Sequence, residues 1–447
     1  MIKSPVERLL AFGSSPAVVW RDQATSYSDL HQLVQKQLSF IREKNISSAC
    51  VVALKGDFSP LVIATLLALF EHKVVVALLP ARNQDVFELC EQAMADVLLE
   101  VEDNLVCCTK LDRVKPYHKF LGGLLLQSKA GFVIFSSGSS GKPKPILHSL
   151  ERFLKKYAQG GKPFVTLSFL LLDHIAGIDT LFYILYSGGT LVAPEERSPH
   201  YICKLVEHAK VEVLPVSPSF LNLLWLSGDY ENCDLSSVQI VTYGSEPMTQ
   251  SNLDHVSVMF PNAAIKQKYG TSEFGSPASK SRGNNELWIR LNGKQFETKI
   301  VEGILFVKSE TTMLGYLDDS EPKFVDGWYN TGDRVEQDGE WLKILGRNSD
   351  MINVGGEKVF PSEVEAVIQQ LDDVVECSVF GEPNPITGNM VCATILPKVD
   401  IDKKALKKQI KKHCIANLSR YKVPAKITFS AESLTNDRQK KIRRPQQ

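Results

Sequence analysis

From residue 27 to residue 269 the apolar positions alternate between two rhythms. At 27–41 (YSDLHQLVQKQLSFI) they recur at helical spacing, with Ser28 the expected N-cap. The runs 49–54 and 74–79 are short and Val-rich, as buried strands are, and 59–70 between them reads as an apolar helix. The alternation returns as strand 130–135 and helix 150–157, then strand 165–171, helix 178–186 and strand 190–193. A further unit runs through helix 201–209, strand 213–215, helix 218–226, strand 237–243 and strand 264–269. Strands separated by helices predict a largely parallel sheet. Beyond Leu287 the texture changes to short strands (LWIRL, KQFETKI, GILFVKS, WYNTGD, EWLKILGR), which predict a small antiparallel or barrel-like subdomain. After Arg347 comes another α+β unit, with helix 361–371, strands 374–380 and 391–396, and helix 403–414.

The polar residues that break this pattern gather at strand ends and turns, where open α/β sheets place their ligands. The stretch 132–144, FVIFSSGSSGKPK, is the sharpest break. Four apolar residues empty into Ser136, Ser137, Gly138, Ser139, Ser140, Gly141, Lys142, Pro143 and Lys144. Glycines let backbone N–H groups close on an anion, serine hydroxyls donate, and lysines supply charge. The stretch reads as a phosphate-binding loop; its composition alone also fits a flexible linker. It is not the P-loop pattern of kinases and ATPases, because only two residues separate Gly138 from Gly141 and Pro143 follows Lys142.

At 447 residues the chain is too long for one ordinary core and calls for two or three domains or subdomains. Lys+Arg and Asp+Glu balance at 51 each, so net charge points to neither nucleic acid nor a membrane as partner. Basic residues dominate locally, with Lys403, Lys404, Lys407, Lys408, Lys411 and Lys412 on one helix. That is a solvated face, or a landing site for a phosphorylated or acidic partner. The nine cysteines are scattered, with no C-x-x-C pair for zinc, and read as free thiols in a reducing compartment. The N-terminus has no signal-peptide apolar region and no apolar run is long enough to span a bilayer, so a cytoplasmic protein is expected.

Five ordered motifs, read together from Tyr27 onward, resemble the adenylate-forming superfamily of acyl-CoA and aryl-CoA synthetases, non-ribosomal peptide adenylation domains and firefly luciferase. The loop at 136–144 fills that family's phosphate-loop pattern, with Pro145 where glycine is usual. Tyr243-Gly244-Ser245-Glu246-Pro247 is similar to the segment that borders the adenine and the acyl pocket. In Tyr269-Gly270-Thr271-Ser272-Glu273 the resemblance implies Tyr269 beside the adenine, Ser272 at the α-phosphate and Glu273 helping to hold Mg²⁺. One carboxylate suffices, because Mg²⁺ takes phosphate oxygens and water for the rest. Tyr329-Asn330-Thr331-Gly332-Asp333, followed by Gly346-Arg347, implies Asp333 on both ribose hydroxyls and Arg347 near ribose or phosphate. A carboxylate can accept two hydrogen bonds from a vicinal diol. The stretch 355–365 (GGEKVFPSEVE) is similar to the segment that re-docks for thioester formation, and 434–444 (LTNDRQKKIRR) resembles T-x-x-G-K-I-x-R. Aligning K-I-x-R selects Lys441 as the lysine that meets the substrate carboxylate and α-phosphate, with Lys440 its competitor.

The resemblance implies an α/β fold: a large N-terminal domain (1–346) of stacked, mostly parallel sheets with helices plus a small β-barrel-like subdomain, a hinge at 347–351 containing Ser349 and Asp350, and a small mobile α+β C-terminal domain (352–447). It implies ATP- and Mg²⁺-dependent activation of an aryl or fatty acyl carboxylic acid to an acyl-adenylate. Transfer to CoA, or to the phosphopantetheine of an acyl or peptidyl carrier protein, then releases AMP. The implied cofactor-binding set is Ser136, Ser137, Gly138, Ser139, Ser140, Gly141, Lys144, Gly244, Ser245, Glu246, Tyr269, Gly270, Thr271, Asp333 and Arg347. The implied catalytic set is Lys441, Glu273, Ser272 and His174. His174 lies in Asp173-His174-Ile175-Ala176-Gly177, where ligases of aryl and fatty acids carry H-x-x-G. It is either a gate of the acyl pocket or a structural histidine. A stand-alone amino-acid adenylation enzyme that loads a carrier, and a nucleotide-binding pseudoenzyme, are the alternatives.

Overall fold

In the computed structural model helix Pro60–Glu71 lies at the centre of the large domain, buried without a break over 62–70. A helix that is apolar all round needs apolar neighbours on every side. Two seven-stranded sheets and the helices Tyr27–Glu43 and Ile175–Ser187 supply them. The structure describes residues 3–82, 85–113, 116–137, 143–292, 296–318, 320 and 324–434. The first sheet runs in the order Ala264–Gln267, Ile240–Tyr243, Val213–Val216, Val165–Leu167, Thr190–Ala193, Pro16–Trp20, Gln23–Ser26. Every pairing in it is parallel except the last.

The second sheet runs Gly315–Tyr316, Pro143–Ser149, Gly131–Ser137, Val75–Leu79, Val51–Lys55, Val97–Glu102, Leu105–Lys110. It is parallel in the middle and antiparallel towards both edges. Strand alternation sends Phe132 and Ile134 into the central core, and Val133 and Phe135 onto helices Val86–Gln92 and Lys119–Leu126 on the other face. With both faces covered, its middle strands are apolar throughout.

A third, antiparallel sheet orders Ala278–Ser281, Ile289–Asn292, Trp341–Arg347, Trp328–Asp338, Ile304–Ser309 and Phe296–Val301, with Phe324–Val325 beside Trp328–Asp338. Among the described residues its ladder is open at both ends. Beyond the 3₁₀ turn Asn348–Asp350 the C-terminal domain has its own core. The long hairpin Val374–Asn384 and Gly388–Pro397 packs there against helices Pro361–Ile368 and Lys403–Asn417. Side-chain hydrogen bonds among the described residues join this part to the rest. Asn222 Nδ2 donates to the Val375 carbonyl at 2.9 Å, and Ser362 Oγ to the Leu345 carbonyl at 2.8 Å.

Local chemistry corrects several sequence expectations. Ser26, not Ser28, caps the helix at Tyr27–Glu43. Its Oγ accepts from Asp29 N at 3.0 Å while the Asp29 carboxylate accepts from Ser26 N, a reciprocal capping box. The strand expected at 165–171 stops at Leu167, and the following helix starts early, at Ile175. The phosphate loop does not lead from a strand into a helix. The chain returns instead as strand Pro143–Ser149, antiparallel to Gly131–Ser137. Prolines at 143 and 145 hold it extended. Pro145 costs that ladder nothing. Its carbonyl accepts from Leu317 N at 3.0 Å, so its nitrogen too faces the short edge strand rather than Gly131–Ser137. The helix expected at 150–157 shrinks to Leu150–Leu154 plus the 3₁₀ turn Lys155–Tyr157. All nine cysteines are free thiols, and no helix among the described residues is long and apolar enough to cross a membrane.

Candidate active site

The three sheets of the large domain meet where strands Ile240–Tyr243 and Ala264–Gln267 end. The exits of these two strands are pressed together at glycines. A Cβ on Gly244 would stand 2.7 Å from the Lys268 carbonyl oxygen, and one on Gly270 would stand 2.5 Å from that of Gly275. Thr271 and Gly275 exchange backbone hydrogen bonds of 3.2 and 3.0 Å, closing a tight loop that presents Ser272 and Glu273. Thr271 Oγ1 accepts from Glu273 N at 3.3 Å inside that loop. Next door, Ser245 is held at φ +68, a left-handed conformation that costs energy outside glycine and clusters at functional sites.

The third sheet delivers Asp333. Thr331 Oγ1 donates to the Leu305 carbonyl at 2.7 Å and accepts from Asp333 N at 3.0 Å, which fixes the backbone on either side of Gly332. Asp333 is 6% exposed. Its Oδ2 accepts from the Tyr269 hydroxyl at 2.7 Å, and its Oδ1 lies 3.4 Å from Arg347 Nε. Burial pushes the Asp333 carboxyl above its ordinary range, against the opposing pull of Arg347 and the Tyr269 hydroxyl. Burial and the Asp333 charge push the Tyr269 hydroxyl well up in turn, so it remains a donor. The result is a two-oxygen acceptor at the edge of an otherwise apolar cluster, beside the half-exposed Arg347.

The second sheet delivers the stem of the phosphate loop. Lys144 Nζ lies 5.4 Å from the centre of the Tyr316 ring, and the Tyr316 hydroxyl donates to Glu273 Oε1 at 2.9 Å. His148, on the same returning strand, is 1% exposed, and its Nε2 lies 2.7 Å from the Ser272 carbonyl oxygen. A carbonyl only accepts, so Nε2 carries the proton. The ring stacks on Phe132 at 4.9 Å and 12°, and burial lowers its pKa to about 4. A neutral histidine thus ties the loop stem to the loop that presents Glu273. Sequence reading did not single it out, because a lone His in an apolar strand carries no signal of a partner so far along the chain. Among the described residues no three His, Cys, Asp or Glu side chains gather as a metal cage. The single half-buried Glu273 carboxylate suits Mg²⁺, whose other positions are taken by phosphate oxygens and water.

The structure therefore brings Lys144, Gly244, Ser245, Tyr269, Gly270, Thr271, Ser272, Glu273, Asp333 and Arg347 to one place. Ser136 and Ser137 pair with Lys144 and Pro143 at the base of the loop. Gly138, Ser139, Ser140, Gly141, Lys440 and Lys441 lie outside the described residues. Glu246, in the segment expected beside the adenine, also bonds within the fold. Its carboxylate accepts from Ser219 N at 3.2 Å and Ser219 Oγ at 2.6 Å, holding the first turn of helix Pro218–Ser227. His174 caps helix Ile175–Ser187, its Nδ1 accepting from Ala176 N at 3.3 Å. Gly177 in the same segment has no room for a side chain, since a Cβ would fall 1.9 Å from the Leu171 carbonyl oxygen. Gly355, Gly356, Glu357 and Lys358 are exposed. The two glycine N–H groups bond within the C-terminal domain, to Thr387 O at 2.8 Å and Asn353 Oδ1 at 2.9 Å.

Comparison with known proteins agrees with this geometry. The family model for AMP-binding enzymes matches residues 127–317, and that for the AMP-binding enzyme C-terminal domain matches 363–441. A 2-succinylbenzoate–CoA ligase of Listeria monocytogenes is 29% identical over 71% of this chain and 69% of its own. Surfactin synthase subunit 1 of Bacillus subtilis is 24% identical over 95% of this chain, which spans only 13% of that larger protein. Among solved structures, an anthranilate CoA ligase in complex with anthranoyl-AMP superposes with a TM-score of 0.82 at 18% identity, covering 99% of this chain and 96% of its own. The o-succinylbenzoate CoA synthetase of Bacillus subtilis with its acyl-adenylate intermediate gives 0.78 at 18%, over 99% and 97%. At such identities the likeness speaks for the fold. With the two family models matched in order over more than half of its length, the chain belongs to the adenylate-forming superfamily of AMP-binding enzymes.

Proposed function

We propose that this protein is an AMP-forming acid–thiol ligase that activates a carboxylic acid with ATP and passes the acyl group to the thiol of coenzyme A. A carboxylate oxygen of the acid attacks the α-phosphorus of ATP, and the bond to pyrophosphate breaks. The thiol sulfur then attacks the acyl carbon, the bond to the phosphate oxygen breaks, AMP leaves, and the thiol proton passes to solvent. The first step needs alignment and charge neutralisation more than covalent help from the protein. Asp333, held between Tyr269 and Arg347, is the acceptor for the ribose hydroxyls. Ser272 is assigned to the α-phosphate, and the 136–144 loop to the departing pyrophosphate. Mg²⁺, when bound at Glu273, would neutralise phosphate charge. Lys441 is assigned to the substrate carboxylate and the α-phosphate, and the 347–351 hinge to the swing of the C-terminal domain between the two steps.

One observation carries the reading. The Tyr269–Asp333–Arg347 acceptor and the Lys144–Tyr316–Glu273 contact flank one short loop, 271–275, so ribose and phosphate chemistry share a single floor. The acceptor thiol rests on the ligases among the relatives, named for CoA. The basic helix Lys403–Asn417 would equally suit an acidic carrier protein bearing phosphopantetheine. ATP–pyrophosphate exchange with a panel of carboxylic acids tests the first step, and CoA against a pantetheinylated carrier tests the second. Lys441→Ala is expected to lose exchange yet still form thioester from preformed adenylate. Exchange near the wild-type rate in Lys441→Ala would transfer the role to Lys440. No exchange with any acid in the wild type would refute acid activation and favour a nucleotide-binding pseudoenzyme.

A further inference from the structure

At the seam between the two domains the long C-terminal hairpin slips in register. Val374 pairs with Pro397 and Glu376 with Leu396, so Val375 is an extra residue outside the ladder, a β-bulge. The bulge leaves the Val375 carbonyl to an outside partner, and Asn222 Nδ2 of the large domain donates to it at 2.9 Å. Asn222 is 9% exposed and stands one turn into helix Pro218–Ser227, whose start the Glu246 carboxylate fixes through Ser219. Its amide is thus presented from a rigid element. Glu376, the residue after the bulge, is 6% exposed and holds the other end of its domain's chain. Its carboxylate accepts from Ser433 Oγ at 2.8 Å and from Leu434 N at 2.5 Å. Lys441 follows Leu434 by seven residues, at most about 25 Å of extended chain. One dipeptide, Val375-Glu376, therefore carries both the grip on the large domain and the anchor of the segment that leads to the lysine. Ser219, Asn222, Glu246, Asn252, Gln369 and Glu376 line the cleft at this seam, a polar set drawn from both sides that suits a contact able to open. In the same arrangement Gly355, Gly356, Glu357 and Lys358 are exposed, and the two glycine N–H groups are bonded within their own domain.

We propose that Asn222 and Glu376 are positioning residues for adenylate formation: Asn222 latches the C-terminal domain in the orientation of the first step, and Glu376 sets where the chain to Lys441 departs. The proposal rests on the two-step reading above and adds what biases the domain between its steps. A hydrogen bond of ordinary strength biases such an equilibrium about two- to tenfold, and this one must break before the 355–358 segment can dock. Asn222→Leu removes the donor, and Asn222→Asp turns an acceptor on the Val375 carbonyl. Both should lower kcat of ATP–pyrophosphate exchange about two- to tenfold, more in Asn222→Asp, with KM for ATP little changed. Thioester formation from preformed adenylate should stay at the wild-type rate or rise. Glu376→Leu should lower exchange about tenfold or more, because the Leu434 N–H and the Ser433 hydroxyl lose a charged acceptor. Glu376→Gln should largely restore it, since the glutamine Oε1 can accept from Leu434 N while its Nε2 donates to Ser433 Oγ. A purely structural role would lower both half-reactions together. That result, or exchange at the wild-type rate in Asn222→Asp and Glu376→Leu, overturns the proposal while leaving acid activation intact. If the wild type exchanges with no acid, amide hydrogen exchange read by mass spectrometry decides. Faster exchange over 374–376 in Asn222→Asp, and at Leu434 in Glu376→Leu but not in Glu376→Gln, upholds latch and anchor; unchanged exchange in either variant overturns them.

Discussion

Replacing Asp333 by asparagine separates what this residue does to the fold from what it does for the nucleotide. The side chain is 9% exposed, and asparagine keeps its shape while removing the carboxylate. Burial raises the folded pKa of this carboxyl above its unfolded value. A raised folded pKa means that the group adds stability below the unfolded pKa, and that this contribution is lost as pH rises through the folded pKa. Ionised Asp333 therefore opposes folding of the empty protein at neutral pH. Asparagine Oδ1 can still accept from Tyr269, and Arg347, with 54% of its side chain exposed, can turn to water. Thermal stability at neutral pH should then fall by no more than about 1 kcal/mol, and a rise is in keeping with the pKa shift. Nucleotide binding should suffer far more. Asparagine offers one acceptor and an amide N–H₂ where two ribose hydroxyls seek acceptors. A hydrogen bond to a charged group contributes about 1.5–3 kcal/mol, so the KM for ATP should rise roughly 10- to 150-fold. The assay is pyrophosphate exchange at varied ATP beside a melting curve, repeated with 2′,3′-dideoxy-ATP. The mutation should cost little with the dideoxy analogue, which has no diol to lose. An equal loss with both nucleotides would refute the ribose assignment, and a large drop in melting temperature would refute the electrostatic account.

His148 should govern part of the acid limb of stability. Its folded pKa lies at about 4 against an ordinary 6.5, so the stability it contributes is present above pH 6.5 and lost as pH falls towards 4, about 3 kcal/mol in all. His148→Gln, which can still donate to Ser272, should flatten urea midpoints across that window, and an unchanged acid limb would count against it. Gly177→Ala places a Cβ 1.9 Å from the Leu171 carbonyl oxygen and 2.6 Å from its carbon, so backbone must move. A destabilisation of about 3 kcal/mol is expected from such overpacking, read as a lower denaturant midpoint with unchanged slope; an unchanged midpoint would show that the turn can relax.

Much of the architecture was legible because alternation of short apolar strands with helices has few solutions, and the nucleotide motifs sit at the strand ends where those solutions place ligands. What was not legible depended on contacts distant in sequence or on competition between neighbouring residues. Both Ser26 and Ser28 are cap-forming types, and Asp29, three residues after Ser26, decides between them by bonding back. His148 looks like core until its partner, the Ser272 carbonyl, is brought across from another strand end. Glu246 belongs to a recognised motif, yet Ser219 at a helix start takes its carboxylate. Pro145 departs from the family pattern, but the carbonyl bond to Leu317 shows why the strand tolerates it.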